Sequence, residues 1–463
     1  MRSHAVEQAK AARGTDTPAV VRPAQRLRGE LRLPGDKSIS HRALMLALLA
    51  DGESNIVGAG DGADVRSSAD IARSLGAAVE RTTDDTGAVA YRVVSPGIAG
   101  FVVDPGVLEC GNSGTSLRLF AGILAGSPVT TTLDGDASLR RRPMARIIEP
   151  LRAMGARVAS AQDDGRPPLT VVGRIDLAAI DWVTRVPSAQ VKSAILLAGL
   201  SANGTTRVRE SVATRDHTER MLRARGVAVR TAPDGGAGAV IEIDGGVAVR
   251  AIDERIPGDP SAAAFWLVAG AAHPDAKLTL HGVGINPTRR GIISLLMRMG
   301  AQIEEHRLEH GSVEEADVTG VGEPAADLVV RSSDLRGIDV SPDEVAGAID
   351  EIPILCLAAT QAVGRTKIRG AGELRHKESD RLSGITAGLS ALGASIHLDG
   401  DDVIIDGPTR LHGAVTDSLD DHRLAMTFAI AGLFAEGLTT VGHPNSAAIS
   451  YPGFFGDLER IRA

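Results

Sequence analysis

Leu382-Ser383-Gly384-Ile385-Thr386-Ala387-Gly388-Leu389-Ser390-Ala391-Leu392-Gly393-Ala394-Ser395-Ile396-His397-Leu398-Asp399-Gly400-Asp401-Asp402-Val403-Ile404-Ile405 holds the plan of this chain. Apolar residues recur at helical spacing as far as Leu392, and Gly393 stops the run. A β-type segment, an Asp-Gly turn and a second β-type segment follow. The same order follows Ser74-Leu75-Gly76-Ala77, Ala153-Met154-Gly155-Ala156, Ala224-Arg225-Gly226-Val227 and Arg298-Met299-Gly300-Ala301. From glycine to glycine the steps are 79, 71, 74 and 93 residues. A unit of helix, glycine, strand, turn and strand, about 75 residues long, fits roughly six times into the chain. An insertion around Glu304 to Asp327 lengthens the longest step, and Phe454 to Ile461 reads as a shortened sixth helix. The expected fold is α/β, with three units in each of two domains, because 463 residues exceed one ordinary core.

Composition narrows the function. Aromatic residues make up 2% of the chain, so its cores are aliphatic and base stacking on aromatic platforms is excluded as a binding mode. A net charge of -8 argues against sequence-independent nucleic-acid binding. Two cysteines, Cys110 and Cys356, are too few for a disulfide framework or a zinc site. Met1 to Arg22 lacks the apolar centre of a signal peptide and reads as a disordered tail, and no apolar run is long enough to span a membrane. The expected location is the cytoplasm. Lysine occurs at positions 10, 37, 192, 277, 367 and 377 only, so a lysine inside a polar motif is there for its compact ammonium group.

Polar, cation-bearing segments open helices in both halves. Pro34-Gly35-Asp36-Lys37-Ser38-Ile39-Ser40-His41-Arg42 precedes an apolar run, with Asp36 or Ser38 placed to cap it. It is not a phosphate-binding P-loop, since Asp36 separates Gly35 from Lys37. Cys110 to Arg118, Arg140 to Met144 and Pro187 to Ser193 follow, then Thr214 to Glu219, where Asp216 and Glu219 suggest a capping box. The second half offers Ile349-Asp350-Glu351-Ile352-Pro353, Arg375 to Arg381 and Asp420 to Met426. A capped turn with solvated charges would explain any one of them. Asp350 and Glu351 could be charges stabilised by a helix head or bases raised by apolar contact, and the residues leave both open. Repetition decides the matter, because equivalent helices in a repeat fold point the same way. Their positive ends then converge on one face of each domain, and two such faces set opposite each other would build a cleft suited to small, multiply anionic ligands.

With these motifs placed, the chain from about Pro23 onward resembles the enolpyruvyl transferases. The resemblance rests on residues 34–42, Gly-Asn-Ser-Gly-Thr at 111–115, Arg142-Pro143, Ser188-Ala189-Gln190, Asp350, Lys-Glu-Ser-Asp-Arg at 377–381 and Asp421-His422-Arg423. It implies two domains of three βαβαββ units, one spanning 34–256 and the other 23–33 with 257–463, joined by crossings near Leu33 and Ile256. The implied reaction moves the enolpyruvyl group of phosphoenolpyruvate to the 5-hydroxyl of shikimate 3-phosphate and releases phosphate. It needs neither metal nor cofactor, and the protein would act as a monomer. By matched position, Lys37, Ser38, Arg42, Ser188, Ala189, Gln190, Arg215, Asp350 and Lys377 would hold shikimate 3-phosphate. Lys37, Asn112, Gly114, Arg142, Gln190, Arg381 and Arg423 would hold phosphoenolpyruvate. Asp350 would act as base on the hydroxyl, and Glu378, beside Lys37 and Lys377, would exchange a proton with the methylene carbon.

Three positions depart from the family pattern: Ile449 where many members have lysine, Glu373 where many have Asn, and Thr214 where many have Tyr. Gly114 matches the members with space beside phosphoenolpyruvate, which implies inhibition by glyphosate. The sister enzyme acting on UDP-N-acetylglucosamine typically carries a cysteine in the loop matching Leu139 to Arg142, where this chain has none. A non-catalytic anion-binding protein would be expected to lose Asp350 or Glu378 first, and both are present.

Overall fold

The computed structural model describes residues 17–85, 87–308 and 322–462. Each of the five glycine stops has positive φ: Gly76 at 106°, Gly155 at 98°, Gly226 at 83°, Gly300 at 100° and Gly393 at 93°. A left-handed residue ends a helix and turns the chain into the next strand, and glycine reaches that region without a Cβ penalty. Thus the helix Arg381–Ala391 leads into the hairpin Ser395–Asp399 and Asp402–Gly407, and the helix Gly291–Arg298 into Gln302–Arg307 and Ala325–Arg331. These last two strands pair along their length, so the ends of the stretch expected as an insertion over 304–327 belong to the strands. Residues 309–321 of it lie outside the described residues.

One sheet plan recurs among the described residues. A short outer strand runs parallel to a central strand, which then pairs with an antiparallel hairpin, as in Val107–Glu109, Thr130–Asp134, Leu169–Val172 and Arg157–Ser160. Helices from each unit pack inward. Lys37–Leu49, Pro260–Ala272 and Ile352–Gln361 are buried on nearly every side, as their long apolar runs require. Two hydrophobic cores result: one gathers residues between Ile39 and Ile256, the other Val21, Leu27, Leu31 and residues from Ala262 to Ile461.

The two bodies exchange strands. Leu27–Arg32 precedes the first body's helix Lys37–Leu49 yet pairs in parallel with Ala276–Gly284 of the second body. Glu254–Arg255 precedes the second body's helix Pro260–Ala272 yet pairs in parallel with Ile56 and Val57 of the first. Where the chain crosses, the segments bind each other reciprocally. Asp36 N–H donates to the Pro257 carbonyl at 2.8 Å, and Asp259 N–H to the Pro34 carbonyl at 2.9 Å. A Cβ on Gly35 would lie 1.9 Å from the Gly58 carbonyl oxygen, so this crossing demands glycine.

The sixth unit corrects the expected tail. Its central strand Thr439–Gly442 is flanked by Val415–Asp417 and, on the other side, by Ala19–Val21 in antiparallel register. Residues 19–21 are therefore an ordered strand with Val21 in the core, while 1–16 lie outside the described residues. Three residues are too few to announce a strand by pattern, and pairing with a distant edge makes them one.

Replacing Gly300 by Ala forces a Cβ into positive φ and to 3.1 Å from the Asp334 carbonyl oxygen. The variant is expected to lose about 1–2 kcal/mol, read as a lowered thermal midpoint. An unchanged midpoint would show that the stop tolerates a side chain.

Candidate active site

The site is built from helix heads of both bodies. In the first, Asp36 caps the helix Lys37–Leu49 by accepting from Ile39 N–H at 2.9 Å, and Ser113 caps Gly114–Ala125 by accepting from Ser116 N–H at 3.0 Å. Ser188 caps Ala189–Gly199. In the second, Asp380 caps Arg381–Ala391 and Asp421 caps His422–Gly432, the latter accepting from Arg423 N–H at 2.9 Å. Each cap leaves positive helix ends facing the space between the bodies.

Asp350 lies at the centre of this space. Arg215 Nη2 approaches it at 2.9 Å from the first body, while Lys377 at 3.6 Å, Arg381 at 3.5 Å and Arg423 at 3.8 Å approach from the second. Burial pushes its carboxyl up, but Lys377, Arg423, Arg215 and Arg381 outweigh burial and hold it well below the usual carboxylate range. Glu378 is placed alike: Arg381 Nη2 is 2.5 Å away, and Arg142 reaches it across the gap at 3.9 Å. Burial works to raise its pKa, and Arg381, Arg142 and Lys37 bring it well below the usual value. Both carboxylates are thus ionised at neutral pH.

On the opposite wall Arg142 Nη2 donates to Asn112 Oδ1 at 2.6 Å, and Asn112 Nδ2 donates to Asp136 at 2.7 Å. Gly114 stands beside them; a Cβ there would meet Arg118 Nη1 at 2.7 Å and Arg142 Nη1 at 3.3 Å. Lys37 Nζ rests on Asp64 at 3.1 Å. Arg42 is walled in: its Nε donates to Thr218 Oγ1, Nη1 to the Ser38 carbonyl and Nη2 to Ser193 Oγ. Burial lowers its pKa to about 10. Arg42 and Ser38 therefore brace one another, and the Ser188 hydroxyl is engaged in capping.

Sequence reasoning left two contributors out of the site. Arg118, one turn into the second capped helix, donates to Gln190 Oε1 at 2.6 Å while Gln190 Nε2 donates to Thr115 at 2.9 Å. Burial, and then its neighbours Arg142 and Arg146, lower its pKa to about 10, with Glu378 and Glu373 opposing them. Asp64, the acid on Lys37, belongs to an ordinary helix start and carries no motif. The capping box at Asp216 is absent. Its carboxylate turns to Arg220 at 2.8 Å and to Asn286 at 2.8 Å in the other body, a charge-assisted pairing that displaces the local cap.

At the departures, Thr214 donates its hydroxyl to Glu210, and Glu373 pairs with Arg146 at 3.7 Å across the gap. The Ile449 carbonyl abuts Gly62, where a Cβ would come within 2.2 Å of it. Among the described residues no group of His, Cys, Asp and Glu is arranged to hold a metal, and no helix is long and apolar enough to cross a membrane.

Comparison with known proteins agrees with this geometry. Residues 21–458 match the family model described as EPSP synthase (3-phosphoshikimate 1-carboxyvinyltransferase). A 3-phosphoshikimate 1-carboxyvinyltransferase of Gloeobacter violaceus is 49% identical over 96% of this chain and 98% of its own. One from a Methylobacterium species is 46% identical with the same coverage. The solved EPSP synthase of Acinetobacter baumannii superposes with a TM-score of 0.83 at 38% identity, covering 96% of this chain and 98% of that one. The enolpyruvyl transferase NikO of Streptomyces tendae, 20% identical, shares the fold with a TM-score of 0.72. Near-complete matches at this identity, on a chain whose helix heads gather cations around two ionised carboxylates, place the protein in the EPSP synthase family.

Proposed function

We propose that this protein transfers the enolpyruvyl group of phosphoenolpyruvate to the 5-hydroxyl of shikimate 3-phosphate, as a monomer, using the gap between its two bodies. The observation that carries the reading is Asp350, held by Arg215 of one body and by Lys377, Arg381 and Arg423 of the other. Substrates that together carry two phosphate groups of about two negative charges each, with two carboxylates, match this surplus of cations.

Substrate binding itself then activates the site. When phosphates and carboxylates draw Arg215, Lys377, Arg381, Arg142 and Lys37 onto themselves, Asp350 and Glu378 lose the charges that hold their pKa values down, and both become more basic. Asp350 takes the proton of the 5-hydroxyl as its oxygen bonds to C2 of phosphoenolpyruvate. Glu378, having gained a proton in this altered field, delivers it to C3 and gives the tetrahedral adduct. The same carboxylate then takes a proton back from C3 as the C2–O bond to phosphate breaks, and the proton that Asp350 took from the hydroxyl passes to the leaving group, which departs as hydrogen phosphate. Lys37, Arg142, Arg381 and Arg423 stabilise the charge on the phosphate and carboxylate of phosphoenolpyruvate. Lys37, Arg215, Gln190 and Lys377 serve shikimate 3-phosphate, with Ser38, Arg42, Ser188 and Ala189 forming the wall behind it.

The sister activity is disfavoured by the cysteines. Cys110 and Cys356 are both buried, and burial pushes each thiol up, Cys356 to about 12. Neither is placed or ionised to act on a substrate.

Phosphate release from phosphoenolpyruvate is expected with shikimate 3-phosphate and not with UDP-N-acetylglucosamine; the reverse preference would reject the reading. Asp350→Ala should lower kcat by about 10³-fold while calorimetry still detects bound shikimate 3-phosphate. A variant turning over near the wild-type rate removes Asp350 from the mechanism. Gly114→Ala, whose methyl displaces Arg118 and Arg142, should raise KM for phosphoenolpyruvate about tenfold and weaken glyphosate inhibition in parallel. Wild-type activity unmoved by millimolar glyphosate would show that this pocket differs from the family's.

A further inference from the structure

The carboxylates that cap the two crossing helices face each other. Asp36 caps Lys37–Leu49, and Asp259 caps Pro260–Ala272 by accepting from Ser261 N–H at 2.8 Å. Asp259 Oδ2 also accepts from the Lys37 backbone N–H at 3.3 Å, so the second body's cap helps to hold the first residue of the first body's helix. The sequence repeats the device 223 residues apart: Pro34-Gly35-Asp36-Lys37-Ser38 and Pro257-Gly258-Asp259-Pro260-Ser261. Two buried carboxylates this close repel, and burial together with Asp259 raises the pKa of Asp36.

A single guanidinium lies between them. Arg289, on the short turn Pro287–Arg289, places Nη2 at 3.2 Å from Asp259, 3.6 Å from Asp36 and 2.8 Å from Ser261 Oγ. Asn286 caps the turn by accepting from Thr288 N–H at 2.8 Å. The Ser261 hydroxyl then donates to Glu351, the chain neighbour of Asp350, and Arg423 lies 3.8 Å from Glu351. Arg289 is 6% exposed and its Nε has no partner among the described residues. It reaches Lys37 through Asp259, and the Asp350 segment through Ser261 and Glu351.

We propose that Arg289 is a positioning residue for the transfer reaction, setting Lys37 and the Asp350–Glu351 segment from behind the pocket through Asp259 and Ser261. A pin serving stability alone would need to neutralise the two caps and nothing more. Here the same nitrogen also orients a hydroxyl aimed at the residue next to the base. Geometry of this kind governs rate steeply, since misplacement by about 1 Å can cost about 10²-fold.

The proposal rests on the function put forward above, and an inactive wild-type chain would reject that function before any variant is made. Two full-length variants test the inference. Arg289→Met combined with Asp36→Asn keeps an acceptor for Ile39 N–H and the cluster's net charge, since one cation and one carboxylate are removed together. Arg289→Lys keeps the charge without the forked reach. The double variant should melt within a few degrees of wild type, yet show kcat at least about tenfold lower and a raised KM for phosphoenolpyruvate, with Arg289→Lys intermediate. A folded double variant with kcat and KM within twofold of wild type overturns the proposal. So does loss of fold in both variants, or activity that tracks the melting temperature alone, either of which makes Arg289 a structural pin.

Discussion

Two peptide groups at the chain crossings hold the molecule to its shape. The Asp36 N–H donating to the Pro257 carbonyl, and the Asp259 N–H donating to the Pro34 carbonyl, tie the first helix of one body to the first helix of the other, head to head. Both backbone groups would otherwise be buried without a partner, a loss that neither side chains nor water can make good at such close approach. Once those two helix heads are fixed, the other capped helices follow from the repeat, because each unit is oriented by its neighbours through the same sheet plan. The cleft is therefore a by-product of symmetry, and its positive potential arises from aligned helix ends before any side chain is considered.

The side chains sharpen that potential inside a protein that is acidic overall. Cations at the spacing seen around Asp350 and Glu378 would repel one another strongly if left alone, and a low dielectric makes the repulsion worse. The two carboxylates act as internal counterions in the unliganded protein. In the proposed reaction, substrates bearing phosphate would displace them from that duty, so the groups that stabilise the empty site would become the acid and base of the loaded one. Arg118 shows the limit of the arrangement, for burial first, and then Arg142 and Arg146, lower its pKa while Glu378 and Glu373 work the other way.

The repeat was legible because its signal is local: a glycine stop has a conformational cause that Gly76 and Gly393 state in sequence and in φ alike. The cation-bearing helix starts were legible for the same reason. Asp64 and Arg289 were not, since each is one charged residue on an ordinary helix or turn and gains its meaning only from partners far away in sequence; Arg118 stood in the segment Cys110 to Arg118, but its tie to Gln190 is likewise long-range. The Pro-Gly-Asp pair at 34–36 and 257–259 could have been found by comparing what precedes the helices instead of what ends them. Asp216 misled because a local capping pattern and a long-range partner competed, and a charged Arg220 with a cross-body Asn286 satisfied the carboxylate better than its own helix. Ala19–Val21 carries no pattern that distinguishes a strand from a tail, and its order is supplied wholly by the edge it meets.

That edge bears on the order of assembly. Ala19–Val21 and Leu27–Arg32 leave the ribosome long before their hydrogen-bonding partners in Thr439–Val441 and Ala276–His281, hundreds of residues downstream. The body built on residues after Lys37 can condense during synthesis, lacking only the two-residue strand Glu254–Arg255. The other must keep an apolar strand waiting until translation has gone far enough to cover it. For most of its synthesis the nascent chain thus lacks the strand that pairs with Leu27–Arg32, which makes this early segment a place for misassembly to begin.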